Sequence, residues 1–317
     1  MSKLAKALSG AAGNAGGDKL YVDDVFSTYV YTGNETSRTI ANGIALSDEG
    51  GLVWLKSRSN ADNSYLFDTV NGPEKTLSSE NSSAGTDYSD YWGFPSAGTN
   101  GFKLLAEPAN YSGWTLASWT FRKAEKFFDI VTTTLSTGSG VFTAASTGTV
   151  NADGTLTIPR SLGSAPGCIM IKVYSGDTGL WNVYHRSATN NLILNETGAQ
   201  VNNYFGNVTD ASFDLISNGF IGNNRSNLSF TIYLFAHDAG GYGDDGDENI
   251  ISCGSFNSTA LTNLGWEPQW VMMKRIDSTS GWFMVDDIRG MTASTNTTTY
   301  LGTSPYLYAN SAQVETA

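Results

Sequence analysis

Short apolar runs separated by polar, glycine-rich segments recur along this chain. The run Leu52 to Leu55 ends on Lys56, and after a polar loop a second apolar run begins at Tyr65. The pattern returns as PGCIMIKVYSGDTGLWNVYHRSAT from Pro166 and as PQWVMMKRIDSTSGWFMVDDIRG from Pro268. Continuous apolar runs of this length, bounded by turn residues, are typical of strands buried on both faces. The sequence therefore predicts three copies of a central strand and its hairpin partner.

The lysines that end these runs set the period of the pattern. Lys56, Lys172 and Lys274 follow one another at steps of about a hundred residues, which indicates tandem domains rather than a solenoid. The first two copies also end alike, in SWTFRKA from Ser118 and in YLFAHDA from Tyr233. We predict an N-terminal arm over 1–19, repeats over 20–128 and 129–240, and a linker with an incomplete third repeat over 241–317.

Each repeat is expected to be a separate antiparallel β-sandwich. The chain has 35 glycines, 15 Tyr, 15 Phe and 8 Trp, a composition that suits short strands joined by tight turns and predicts an all-β fold. In the third copy the closing strand is expected after Ala317, so we predict an open sheet edge there. Either a neighbouring chain supplies that strand or the chain is the ordered part of a longer product.

Charge and hydropathy restrict the partners. The formal net charge is -12, from 18 basic and 30 acidic residues, and such a surface repels a phosphate backbone. We therefore expect no nucleic-acid partner. No apolar run approaches the roughly 20 residues that a membrane-spanning helix needs, so we expect no membrane insertion.

The residues that most often carry catalysis are sparse. The only histidines are His185 and His237, which excludes a metal centre built from several histidines. Asp238 follows His237, but neighbouring residues on a strand point to opposite faces, so we do not expect them to act together. Cys168 and Cys253 form no disulfide framework. We predict a protein that is not an enzyme.

One acidic segment offers the single metal candidate. Residues 240–250 read GGYGDDGDENI and contain Asp244, Asp245, Asp247 and Glu248. Calcium takes six to eight oxygen ligands, and alternating carboxylates around glycines can provide them. The spacing fails the EF-hand pattern, and a solvated linker between repeats is the alternative interpretation. We expect no other cofactor.

An aromatic loop offers a candidate contact surface. Trp54 and Trp270 lie within apolar runs and are expected in the core. The loop TDYSDYWGF, residues 86–94, mixes aromatic and acidic residues and is found only in the first copy. Its aromatic members are predicted to form either an exposed contact surface or an oligomer interface; they are Tyr88, Tyr91, Trp92 and Phe94.

Several longer strings resemble a known family. YVDDVFSTYVYTGN from Tyr21, GLVWLKSRS, SWTFRKAEKFFD, SLGSAPGCIMIK and ENIISCGSF are similar to repeat-containing structural proteins of tailed bacteriophages, especially those that infect marine bacteria and cyanobacteria. The resemblance implies a virion protein, fibre- or tail-associated, that is assembled in the host cytoplasm and built from β-sandwiches of the jelly-roll, concanavalin-A-like or laminin-G-like kind. It supplies no catalytic residues.

The resemblance also gives the N-terminal arm a role. Fibres of this kind attach by their N-termini, so we expect Leu4, Ala7 and Leu8 to anchor the chain to other virion proteins. A homotrimer and adsorption to a host-surface glycan are further implications of the resemblance. The alternatives are a carbohydrate-binding or polysaccharide-depolymerising surface protein and a capsid decoration protein.

Overall fold

The computed structural model describes residues 19–96, 98–105, 108–216, 219–257, 263–292 and 304–316. These residues form strands β1–β20, one short helix, Val22–Val25, and one turn of 3-10 helix, Pro73–Lys75. The predicted all-β fold with antiparallel sheets is confirmed. Among the described residues, no helix is long and apolar enough to cross a bilayer.

The first unit is a sandwich of two sheets. Its strands are β1 (Phe26–Thr32), β2 (Arg38–Ile40), β3 (Gly51–Ser57), β4 (Tyr65–Asp68), β5 (Trp92–Gly93), β6 (Phe102–Leu104) and β7 (Thr115–Arg122). The larger sheet has the order β1-β7-β3-β4 and the smaller one β2-β6-β5. Val53 and Leu55 of β3 point into the space between the sheets and meet Phe67, Trp92 and Phe102 there.

The second unit repeats this plan with longer sheets. Its strands are β8 (Phe128–Thr137), β9 (Phe142–Ala145), β10 (Thr149–Val150), β11 (Leu156–Pro159), β12 (Cys168–Ser175), β13 (Asn182–His185), β14 (Leu192–Ile193), β15 (Phe205–Gly206), β16 (Ser212–Leu215) and β17 (Leu228–Phe235). One sheet has the order β14-β13-β12-β17-β8-β9, and the other β10-β11-β16-β15. Ile169 and Ile171 of β12 pack between them.

The third unit is a single sheet among the described residues. It comprises β18 (Trp270–Lys274), β19 (Trp282–Asp286) and β20 (Leu307–Tyr308), in that order. The hairpin registers show which positions are equivalent in the three units. Trp54 pairs with Leu66, Met170 with Val183, and Met272 with Met284. Strands β3, β12 and β18 are therefore equivalent, as are their hairpin partners β4, β13 and β19.

The three units share one further core, which we call the common core. Leu52 and Trp54, on the second face of β3, pack in the same cluster as Met170 of β12 and as Trp282 and Met284 of β19. The tandem units therefore also pack against one another through this core. Strands that are apolar on both faces have one face for their own sandwich and a second face that must also be buried.

Backbone hydrogen bonds join the units head to tail in a closed ring. The equivalent bonds run from Gly179 N to Ser82 O at 2.9 Å, from Ser280 N to Thr197 O at 2.9 Å and from Asp62 N to Ala312 O at 3.0 Å. A second set runs from Gly85 N to Tyr174 O at 2.9 Å, from Gln200 N to Ile276 O at 3.4 Å and from Glu315 N to Arg58 O at 2.9 Å. Each set links the first unit to the second, the second to the third and the third to the first. A heterologous contact that closes after three steps gives approximate threefold symmetry within one chain.

Candidate functional site

Two of the three ring interfaces carry the same buried hydrogen bond. Trp119 Nε1, on β7, donates to Asp286 Oδ2 at the end of β19, at 3.0 Å. Tyr233 OH, on β17, donates to Asp68 Oδ2 at the end of β4, at 2.8 Å. Trp119 pairs with Trp54 and Tyr233 with Met170, so the two donors are equivalent. Each closing strand thus extends an aromatic donor to an acid on the neighbouring unit.

His185 occupies the matching acceptor position at the third interface. It ends β13 and pairs with Cys168, as Asp68 pairs with Leu52 and Asp286 with Trp270. Its Nδ1 accepts a hydrogen bond from Ser187 N at 3.2 Å, and burial lowers its pKa, with smaller contributions from nearby cationic side chains. Within the described ranges, no aromatic donor from a closing strand reaches His185. The described residues therefore show no counterpart, at this interface, of the contact that completes the other two.

Among the described residues, one edge of the third sheet is unpaired where the equivalent edges of the other two units are paired. Strand β3 lies between β7 and β4, and β12 lies between β17 and β13, whereas β18 pairs only with β19 in the described part of the chain. All seven residues of β3 are buried, but all five residues of β18 are only half-buried. The Trp270 indole N–H is buried without an acceptor. We call this side of Trp270–Lys274 the open edge.

The leading segment of the third unit, residues 250–257, borders the same region. Asp238 N donates to Ile251 O at 3.0 Å, just as Ala124 N donates to Phe128 O at the start of β8. Ile251 and Cys253 pack against the common core together with Met272. In the first two units the corresponding strands β1 and β8 are separated from β3 and β12 by one closing strand. The third unit therefore contains the two elements between which a closing strand lies in the other units. They are the central strand β18 and the leading segment 250–257.

A family comparison covers all of this architecture. A family model with the description "Domain of unknown function (DUF7483)" matches residues 22–316. The chain belongs to this family. No curated protein and no solved structure matches it.

A buried charge network joins the first and third units of the DUF7483 chain. Arg289 Nε donates to Asp286 Oδ2 at 2.6 Å, and neither side chain is exposed. Arg289 Nη1 also donates to Glu315 Oε1 at 3.0 Å, and Arg58 pairs with the same carboxylate at 2.8 Å. The Arg289 guanidinium lies 5.4 Å from the centre of the Trp119 ring, a cation–π contact.

The equivalent lysines that mark the repeats differ in burial and in their partners. Lys56 and Lys172 are fully buried, and Lys274 is half-buried. Lys56 Nζ donates to Glu80 Oε1 at 2.7 Å and, across the interface, to Ser311 O at 2.7 Å. Lys172 Nζ donates to Gly179 O, and no carboxylate pairs with it in the described structure. Burial lowers the pKa of Lys172 to about 7.

Because Lys172 is buried with a lowered pKa, we expect the free energy of unfolding to rise with pH. Between about pH 7 and its unfolded value near 10.5, the unfolded chain binds this proton and the folded chain does not, so stability increases through that window. We expect Lys172→Met to raise the free energy of unfolding at pH 7 by about 2 to 4 kcal/mol, after the loss of one hydrogen bond. Guanidinium denaturation from pH 6 to 10 measures it, and the advantage of the variant should shrink as the pH rises. A constant difference would contradict the assignment.

The predicted aromatic contact surface needs a correction. Trp92 is fully buried, stacks on Phe67 and Tyr88, and donates from Nε1 to Thr76 Oγ1 at 3.0 Å. Trp92 therefore cannot serve as an exposed contact. Tyr88, Tyr91 and Phe94 are half-buried and pack against the same core. The cluster mainly stabilises the first sandwich.

The acidic segment does not gather its carboxylates. Asp244, Asp245, Asp247 and Glu248 are exposed on a tight turn closed by the bridge between Tyr242 and Glu248. Asp244 accepts a hydrogen bond from Tyr21 OH at 2.6 Å. The described residues hold no group of three or more His, Cys, Asp or Glu side chains that could share a metal ion. The anchoring candidates Leu4, Ala7 and Leu8 lie outside the described residues.

The histidines do not form a catalytic pair with a hydroxyl. His237 Nδ1 lies 3.3 Å from Asp238 Oδ2, so the expectation of opposite faces is wrong, because both residues follow β17 and Asp238 has a positive φ of 40°. Cys253 N donates to His237 Nδ1 at 3.1 Å, and Nε2 contacts Arg186 Nη1. Both ring nitrogens are therefore engaged by other groups.

Proposed function

We propose that this protein is a structural component of a tailed-phage virion, a fibre or tail-associated appendage that presents its β-units for adsorption to the host surface. The observation that supports this best is the closed ring. Three units share one core and are joined by backbone bonds at every interface, which restricts their movement relative to one another. A particle-borne appendage needs such rigidity, and the strings that resemble phage structural proteins run through all three units.

The approximate threefold symmetry bears on how the protein assembles. A single chain supplies three equivalent faces, so it can match a threefold partner without forming a homotrimer of its own. The homotrimer and the docking of Leu4, Ala7 and Leu8 into another virion protein remain part of the proposal. The net charge of -12 supports a soluble surface role in which no nucleic acid is bound.

Electron microscopy of the source virions tests the assignment. An antibody raised against the full chain should label a tail or capsid appendage on intact particles. A phage with residues 2–17 deleted from this chain should lose the label from its particles while the soluble, folded protein is still made. Intact wild-type particles without label would overturn the proposal. Sugar release or saturable glycan binding by the recombinant full chain would favour the carbohydrate-active alternative.

A further inference from the structure

We infer that a cavity at one end of the second sandwich is a binding site for a sugar acid, whose carboxylate pairs with the Arg186 guanidinium. The choice of a sugar rests on the proposed adsorption to a host glycan, whereas the binding of a carboxylate does not. Such a site also suits the carbohydrate-binding alternative. Its test uses the recombinant chain and is therefore separate from the labelling of virions.

The cavity lies where β12 begins and where β13 and β17 end. It is lined by residues 164–166 before β12, by Tyr184 and Arg186 at the end of β13, by Val208 and by residues 237–239 after β17. Its volume of about 490 Å³ is typical of small-molecule sites, which range from roughly 300 to 1,000 Å³. The lining belongs entirely to the second unit, so the site does not depend on the edge of the third sheet.

Arg186 brings a positive charge to this cavity without a carboxylate partner. Its side chain is exposed, and Nη1 contacts His237 Nε2. Among the ion pairs of the described residues, none includes Arg186. The Asp238 carboxylate also borders the cavity, but it accepts from Ser252 Oγ at 3.3 Å and lies 3.3 Å from His237 Nδ1. The remaining N–H groups of Arg186 can therefore donate to an anionic ligand.

A second guanidinium adds positive charge next to the cavity. Arg160 Nη1 donates to the backbone oxygen of Ser164, which lines the cavity. Burial lowers the pKa of Arg160 to about 10, so this side chain is still a cation at neutral pH. Arg160 Nε and Nη2 and Ser164 Oγ are buried, and no described residue forms a hydrogen bond with them. Buried polar atoms usually have a partner, so these atoms favour a polar ligand at this place.

The equivalent place in the first unit supplies its own anions. It is lined by Glu49, Lys123 and Glu125, and Lys123 has a carboxylate partner 3.1 Å away. The strand registers make Ala165 the equivalent of Glu49 and Ala239 the equivalent of Glu125. The second unit thus has alanine at both positions where the first unit has glutamate. The cation of the second cavity lacks these built-in acids, and an anionic ligand can replace them.

The rest of the lining indicates which anion fits. The planar guanidinium of Arg186 matches a carboxylate through two parallel hydrogen bonds. A phosphate carries more negative charge than a carboxylate, so the Asp238 carboxylate in the same cavity repels it more strongly. Tyr184, Pro166 and Val208 give the cavity an apolar wall that can pack against the C–H groups of a sugar ring.

A ligand-observed NMR titration of the full chain tests the inference. The probe is sodium glucuronate at constant ionic strength. The controls are glucose, which has the same ring without the charge, and inorganic phosphate. We expect saturable one-to-one binding of glucuronate, with glucose and phosphate at least about tenfold weaker. Equal binding of glucose, tighter binding of phosphate or no binding of glucuronate would overturn the inference.

Three variants locate the binding site. Arg186→Gln should weaken glucuronate binding about tenfold or more, because charge-assisted hydrogen bonds are lost. Ala165→Glu places the acid of the first unit at an exposed position beside Arg186 and should weaken binding by a similar factor. The matched control is Arg225→Gln, which removes another exposed arginine of the same unit that already pairs with Asp177, and it should bind as the wild type does. Unchanged binding by Arg186→Gln, or an equal loss in all three folded variants, would contradict the assignment.

Discussion

Arg289→Met is expected to lower the free energy of unfolding by about 3 to 5 kcal/mol. The variant leaves the Asp286 carboxylate fully buried with no cation beside it. It also removes the hydrogen bond to Met284 O and the guanidinium that lies over Trp119. The loss should be this large because an ion in a low-dielectric interior cannot recover the hydration that it had in the unfolded chain. Guanidinium denaturation at pH 7 measures the change.

Two further variants separate charge from packing. The double variant Asp286→Asn/Arg289→Met removes the uncompensated charge and keeps an acceptor for Trp119 Nε1, so it should recover part of the loss. Arg58→Met removes a partner of the same Glu315 carboxylate, but Arg58 is partly exposed and should cost only about 1 kcal/mol. A double variant no more stable than the single one would show that the buried charge is not the cause.

The sequence was sufficient to locate the central strands and their hairpins. Runs around Trp54, Met170 and Met272 are β3, β12 and β18, and the closing strands around Trp119 and Tyr233 are β7 and β17. Both faces of the central strands are apolar. The order of apolar and polar residues along the chain does not show which part of the protein covers the second face. The sequence pattern does not predict the ring, since its interfaces join residues that are 76 or more positions apart along the chain.

The sequence pattern does not predict the contacts of individual side chains at the site, for a related reason. Asp68 and Asp286 lie at equivalent ends of their hairpin strands, and the aligned repeats show this equivalence in the sequence. The sequence around Tyr233 and Trp119 does not show that these side chains donate hydrogen bonds to the two carboxylates. Trp92 appeared exposed because of its acidic neighbours. It is buried because a single acceptor, Thr76 Oγ1, satisfies its only polar group.

Lys56→Met is expected to lower the free energy of unfolding by about 3 to 5 kcal/mol, in contrast to the stabilising change at Lys172. The two lysines occupy equivalent positions on β3 and β12, both are fully buried, and each ends an apolar run. They differ in their partners. Lys56 is bonded to the nearly buried Glu80 carboxylate, whereas the bond of Lys172 goes to a neutral carbonyl. Removing Lys56 leaves a buried anion without its cation, whereas removing Lys172 takes away an amine whose pKa is lowered by burial.

Lys56→Met and Lys172→Met can be compared directly, because the substitution and the strand position are the same. The Glu80 carboxylate also accepts from Ser64 N and Ser78 Oγ, both at 2.5 Å, so it stays in place when Lys56 is lost. Glu80→Gln/Lys56→Met should therefore regain most of the stability. Denaturation curves at pH 7 for the three variants measure these changes in the free energy of unfolding. Shifts of the same sign for Lys56→Met and Lys172→Met would mean that packing of the methylene stem, and not charge pairing, governs stability at this end of the common core.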